Sequence, residues 1–86
     1  MPHPRYSSEE IVRRGQALYE QQIRSTVEIA HKGEFLVLDV ETGEYEIDAS
    51  EIAALKRARA KNPGAALYIL RVGRYPTAYR LGKQAS

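Results

Sequence analysis

At 86 residues the chain has room for one hydrophobic core and excludes a second independent domain. Its 43% hydrophobic and 28% charged residues match a folded globular domain and exclude wholesale disorder, and the lack of cysteine excludes disulfide scaffolds, thiol catalysis and cysteine-ligated metals. The net charge of +2 conceals a segregation: residues 1–28 balance four arginines against four glutamates, residues 29–55 set Lys32 against seven acids, and residues 56–86 hold eight bases and no acid.

Residues 1–6, with Pro2 and Pro4, read as a loose tail ahead of a single domain spanning 7–86. Ser7-Ser8-Glu9-Glu10 is a capping box, and Tyr6 and Ile11 stand where a hydrophobic staple would close it. Ile11, Val12, Gly15, Leu18, Tyr19 and Ile23 share one helical arc, while Glu9–Arg13, Glu10–Arg14 and Glu20–Arg24 place an acid four residues before a base on the other. A first helix over about 8–24 follows. Residues 25–32 fit either a continuation through Val27 and Ala30 or a break at Ser25-Thr26-Val27, with Gly33 as the stop.

Glu34–Val40 predicts a strand, Glu41-Thr42-Gly43 a hairpin loop and Glu44–Asp48 the return strand. Asp48-Ala49-Ser50-Glu51 opens a second helix, which Asn62-Pro63-Gly64 ends after Lys61. Ala66–Val72 is a third strand, Gly73-Arg74-Tyr75-Pro76 a turn and Thr77–Leu81 a fourth strand. The first and third strands are apolar on both sides and belong at the centre of the sheet. The expected fold is therefore α+β: an N-terminal helix followed by ββαββ, with a four-stranded antiparallel sheet of order 2-1-3-4 and a right-handed crossover through the second helix. Alternation sets Leu36, Leu38, Tyr45, Ile47, Tyr68, Leu70, Val72, Tyr79 and Leu81 toward the helices. Phe35, Val37, Leu67 and Ile69 then occupy the centre of the opposite face.

The string Leu38-Asp39-Val40-Glu41-Thr42-Gly43 looks like the metal-binding first motif of DnaQ-type exonucleases. That chemistry needs further carboxylates and a base, yet the last acid is Glu51 and no histidine follows His31, so Asp39 and Glu41 read as shapers of the hairpin turn. Glu44, Glu46 and Asp48 line one side of the second strand, the pattern of an edge strand guarded against pairing rather than of a cation site. No nucleophile elbow or phosphate-cradling glycine cluster is present, so the chain reads as non-enzymatic, without cofactor or metal. The C-terminal hairpin offers Arg71, Arg74, Tyr75, Arg80 and Lys83, a mixture of bases and aromatic rings that suits single-stranded nucleic acid. The longest aliphatic and aromatic run, Phe35 to Leu38, is far shorter than the ~20 residues of a membrane span, and the start reads as no secretory signal, so the expected location is cytoplasmic.

From Tyr6 to Gly82 the chain resembles a group of small uncharacterised bacterial proteins, frequent in cyanobacteria and proteobacteria. The resemblance is carried by Ser7-Ser8-Glu9-Glu10-Ile11 with Gly15 and Tyr19-Glu20, by Gly33 through Asp48, and by Arg71-Val72-Gly73 with Ala78 through Gly82. It implies a ββαβ-like core similar to that of small antitoxin-like or adaptor proteins and brings no catalytic residue with it. The resulting expectation is a non-catalytic regulatory or interaction module that binds a protein partner. Self-association is expected through Phe35, Val37, Leu67 and Ile69, with the acidic edge of Glu44 and Glu46 meeting Arg71 and Arg80 of a second copy across a two-fold axis. The alternatives are helix one folded across that face in a monomer, a nucleic-acid-binding protein and, more distantly, a metal-dependent hydrolase.

Overall fold

The Ser7 hydroxyl accepts a hydrogen bond from the Glu10 amide at 3.1 Å and starts helix α1, Ser8–Leu18, where the capping motif places it. The Glu10 carboxylate reaches forward to Arg14 at 3.4 Å, while Tyr6 and Ile11 both pack on the core. These are details of a computed structural model that describes residues 5–73. The predicted fourth strand and the Arg74–Pro76 turn lie outside the described residues, as do residues 1–4 of the predicted tail. Arg5 and Tyr6 belong to the folded domain, for Arg5 pairs with Glu41 at 2.8 Å and the Tyr6 hydroxyl donates to the same carboxylate at 3.4 Å.

The first helix does not break at Ser25. α1 passes into a π-helical segment, Tyr19–Ile23, and then into α2, Arg24–Val27. The reason lies in the spacing of the buried residues Gly15, Tyr19, Ile23 and Val27, each four after the last. In a regular α-helix three such steps overshoot by ~120°, which would carry Val27 off the packed face. The wider π turn, in which the Arg24 amide donates to the Tyr19 carbonyl five residues back, takes up that drift. Tyr19, Ile23 and Val27 consequently sit in one core cluster.

The sheet has order β2-β1-β3 with both pairings antiparallel: β1 is Phe35–Asp39, β2 Tyr45–Asp48 and β3 Leu67–Arg71. Register sets Leu36 opposite Ile47 and Leu70, Leu38 opposite Tyr45 and Tyr68, and Val37 between Glu46 and Ile69. The hairpin loop closes with the Gly43 amide on the Asp39 carbonyl at 2.8 Å, and Gly43 adopts φ 83°, a conformation that favours glycine. Ser50 caps α3, Glu51–Lys61, by accepting from the Ala53 amide at 3.2 Å. No helix among the described residues is long and apolar enough to cross a membrane.

The two helical layers lie on opposite faces of the sheet, not on one. The N-terminal helix covers Leu36, Leu38, Val40, Tyr68, Leu70 and Val72, with Tyr45 and Ile47 at the margin. α3 covers the other face, where Ala54 and Ala58 pack on Val37 and Leu55, Leu67 and Ile69 flank them. This corrects the expectation that Phe35, Val37, Leu67 and Ile69 form a face left open for a second copy, or covered by helix one. Val37 is 0% exposed. A central strand that is apolar on both sides needs a layer on each, and the small side chains of Ala54 and Ala58 let α3 approach closely enough to supply the second.

Candidate interaction surface

β2 turns Glu46 and Asp48 to the same side as Val37 and Phe35, hence toward α3. Arg57, in the second turn of α3, donates through Nε to Glu46 at 2.9 Å, through one terminal nitrogen to Asp48 at 3.0 Å and through the other to the Ile47 carbonyl at 2.8 Å. Lys61, a turn further on, reaches Glu46 at 2.7 Å and stands 4.0 Å from Glu44. The acidic strand and part of the basic helix therefore neutralise each other inside one chain. Hydrogen bonds from Lys61 and then Arg57 hold the Glu46 carboxyl below its ordinary value of 4.5. Asp48 is lowered first by the Ser50 amide and then by Arg57.

A lowered folded-state pKa means that the pairing stabilises the protein above the unfolded value and ceases to do so as pH falls through the folded one. Glu46→Gln is expected to reduce Tm by about 2–5 °C at pH 7, as suits partly exposed pairs screened by solvent. The gap to wild type should close as the pH drops below 4.5, a comparison that thermal melts across pH 3–7 make directly.

Asp39 is buried and sits on the α3 side of β1, at the base of the hairpin. One of its oxygens accepts from the Glu41 amide at 2.9 Å and the Thr42 amide at 3.3 Å, and the other accepts from the Asn62 side chain at 3.2 Å. The neighbouring Glu41 carboxylate is turned to Arg5 and Tyr6. The two acids of the exonuclease-like string are thus engaged separately, one as a turn and helix-end clamp and the other as an anchor for the N-terminus. Asp39→Ala is expected to cost about 1–3 kcal/mol in a denaturant titration, and Mg²⁺ or Mn²⁺ should leave the wild-type Tm unchanged. A metal-dependent rise abolished by Asp39→Asn would restore the nuclease reading. Among the described residues no group of three His, Asp or Glu side chains could hold a metal ion. The recess between Asp39, Tyr45, Glu46, Lys61 and Asn62 has a volume of about 10 Å³, the size of a water rather than a metabolite.

The remaining predicted site residues divide sharply. Val37 is core, Glu46 is an internal ion-pair partner, and Glu44 is exposed beside Lys61. Leu67, Ile69 and Phe35 are half-buried, so part of each still meets solvent. Arg71 is exposed: its guanidinium lies 4.9 Å from the centroid of the Phe35 ring, and its Nε donates to the Gly33 carbonyl at 3.0 Å. Arg74, Tyr75, Arg80 and Lys83 lie outside the described residues.

Three further residues come to this surface from α3. Ala54 and Ala58 point down at Val37, and Arg57 and Lys61 point toward β2, so helical geometry sets Leu55 on the flank toward β3 and turns Ile52 and Arg59 outward, away from the sheet. Leu55 packs beside Leu67 and Ile69, whereas Ile52 is 65% exposed. In the sequence α3's bases look like an even spread over a wide arc. The apolar residues at 52 and 55 ahead of a base at 59 were the available signal, legible only once the ion pairs with β2 are known. No protein family, curated protein or solved structure matches this chain.

Proposed function

We propose that the chain is a non-catalytic cytoplasmic interaction module, antitoxin-like or adaptor-like in its mode of action, that binds a protein partner. The observation that supports this reading best is the asymmetry of α3. Its flank toward β2 is saturated by ion pairs with Glu44, Glu46 and Asp48. Its outward face presents Ile52 in solvent, and neither Lys56 nor Arg59 has a carboxylate partner among the described residues. Apolar anchors beside basic side chains on a rigid helix are the stuff of a protein contact surface. In the same reading residues 77–81 complete the sheet as a fourth strand beside β3, giving the order 2-1-3-4.

The nucleic-acid reading keeps one observation in its favour, the exposed Arg71 at the head of the basic segment that continues through Arg74, Arg80 and Lys83. The tagged full chain, purified from its native host with and without nuclease, separates the two. A protein retained at fixed stoichiometry after nuclease treatment is the expected result. Retention that nuclease abolishes and that weakens steeply with salt would replace the module with a nucleic-acid binder. Light scattering at several concentrations tests whether the retained partner is a second copy.

A further inference from the structure

Among the described residues β3 has a strand on one side only. Toward β1 the Val72 amide donates to the Glu34 carbonyl at 2.8 Å, and the Val40 amide donates to the Ala66 carbonyl at 3.0 Å. Antiparallel alternation then gives the backbone groups of Ala66, Tyr68, Leu70 and Val72 to β1 and turns those of Leu67, Ile69 and Arg71 outward. β2, at the other edge of the sheet, is guarded by Glu46 and Asp48 and the bases that hold them. β3 has no such guard, for Ala65 through Leu70 carry no charge. An uncharged edge of this kind is a template for a further strand. The N-terminal layer also reaches past it. Gly15 meets Tyr68, which sets α1 above β3. Arg14 leans over the Tyr6 ring at 4.8 Å and Tyr6 donates to Glu41, so that flank of α1 faces the β1–β2 hairpin. Val12 lies ~160° around the helix from Arg14, on the flank beyond β3, and is 36% exposed. A strand beside β3 therefore meets an apolar roof on the N-terminal side. Its other side is open among the described residues, because α3 lies over β1 and β2.

From these observations we propose that the outer edge of β3 is a strand-docking site whose occupant is this chain's own segment 77–81, held in one register: Ala78 opposite Arg71, Tyr79 opposite Leu70, Arg80 opposite Ile69 and Leu81 opposite Tyr68. The inference rests on the four-stranded reading of the fold and adds the register, hence the side each residue takes. Residues 77–81 lie outside the described residues, and their sequence selects the register. Tyr79 and Leu81 alternate with Ala78 and Arg80, so the apolar pair belongs on the face of Leu70 and Tyr68, under Val12. A slip of one residue would carry Arg80 beneath α1 instead. A slip of two in one direction sets Pro76, which has no N–H, against the outward carbonyl of Arg71; in the other it sets Lys83 opposite Tyr68 in the apolar layer. The register that remains leaves 73–76 as a four-residue loop, and Gly73 already turns the chain with φ 80°. The tether selects this occupant over a strand from another molecule, since so short a connection holds the segment at an effective concentration in the millimolar range. Arg80 then crosses Ile69 on the α3 side, its stem over the half-buried isoleucine and its guanidinium in water. Ile69 is thereby shielded from within the chain and drops out of the surface left to a partner.

The test uses the full wild-type chain, followed by nuclear magnetic resonance and amide hydrogen exchange. In this register Leu70–Tyr79 and Tyr68–Leu81 are pairs without mutual hydrogen bonds, so their Hα atoms face each other at close range. Hα–Hα contacts within both pairs are expected, with exchange at Ile69 and Arg71 slowed about a hundredfold relative to an unstructured amide. Arg80→Pro removes the N–H that the register gives to the Ile69 carbonyl. It should speed exchange at Ile69 and Arg71 at least tenfold, while Leu38 and Tyr68, paired on the β1 side, keep their protection. Exchange at Ile69 that ignores Arg80→Pro overturns the proposal. Contacts that set Tyr79 against Ile69 overturn the register and leave a fourth strand in place. Free exchange at both Ile69 and Arg71 overturns the docking and the four-stranded reading together, while the nuclease-treated purification still decides the protein-partner reading. Protection that rises with protein concentration, with contacts between labelled and unlabelled copies, gives the edge to a second copy and overturns the proposal.

Discussion

Val37→Glu is expected to abolish cooperative folding instead of turning a dimer into a soluble monomer. Val37 is 0% exposed between Glu46 and Ile69 in the sheet, beneath Ala54 and Ala58 of α3. A carboxyl group placed there loses its water and is brought beside Glu46, whose own charge already engages Lys61 and Arg57. It must either become protonated or push α3 off the sheet. Burial of an unpaired acid costs several kcal/mol, and loss of the valine adds ~2 kcal/mol from the vacated apolar contact. A domain of this size has a total stability of roughly 4–13 kcal/mol, so the substitution removes most or all of it. Denaturant titration followed by circular dichroism is the direct measurement, with Val37→Ala as the milder companion that should retain a cooperative transition at ~2 kcal/mol lower stability. A Val37→Glu protein that unfolds with wild-type cooperativity and midpoint would show that α3 does not cover this face.

That substitution also marks where sequence reasoning stops. The central place of β1 is legible from its being apolar on both sides, even though it pairs with β3 across 28–36 residues. Capping at Ser7 and Ser50 and the hairpin at Gly43 are legible because they are local, each depending on residues a few positions apart. Asp39 as a turn former is legible for the same reason, though its bond to Asn62, 23 residues away, is not. Which face of a doubly apolar sheet each helix takes depends on tertiary packing. Alternation separates Leu36 from Val37 without saying which helix each will meet. The decisive feature is the pair Ala54 and Ala58, whose small side chains read in isolation as a weakly apolar stripe. The same uncertainty hid the candidate surface: until Arg57 and Lys61 are assigned to Glu46, the bases of α3 cannot be divided into those that hold the fold and those left to a partner. The π-helical segment at Tyr19–Ile23 is not legible because the steps from Gly15 to Tyr19 and to Ile23 fit a regular helix, and the drift that the wider turn absorbs shows only once Val27 is placed in the same core cluster.

Gly15→Ala is expected to destabilise the domain, against the usual effect of that exchange. In a helix interior alanine is ordinarily favoured over glycine by ~1 kcal/mol, since glycine loses more backbone freedom on folding. At Gly15, however, the added methyl would overlap the Tyr68 side chain at its Cβ, Cγ and Cδ2 atoms. These are the atoms nearest the β3 backbone, so a rotation about the end of the side chain gives no relief. Tyr68 is itself buried among the core residues, and its ring has no empty space to enter. Either α1 lifts from the sheet, loosening Tyr19 and Ile11 with it, or β3 shifts against β1. Overpacking of this kind costs about 1–3 kcal/mol after the propensity gain is included, equivalent to a fall in Tm of roughly 5–20 °C for a domain of this length. Gly15→Val should be worse, because a branched side chain enlarges the overlap and adds a helix-propensity penalty. A double-mutant cycle separates the clash from any intrinsic effect on the helix. On a Tyr68→Ala background, itself costly, Gly15→Ala should cost less than in the wild-type protein, because the overlaps with Cγ and Cδ2 are gone and only the one with the residue 68 Cβ, at 2.7 Å, remains. A higher Tm for Gly15→Ala in the otherwise wild-type protein would mean that α1 and β3 do not approach so closely, and the packing of the N-terminal layer would have to be redrawn.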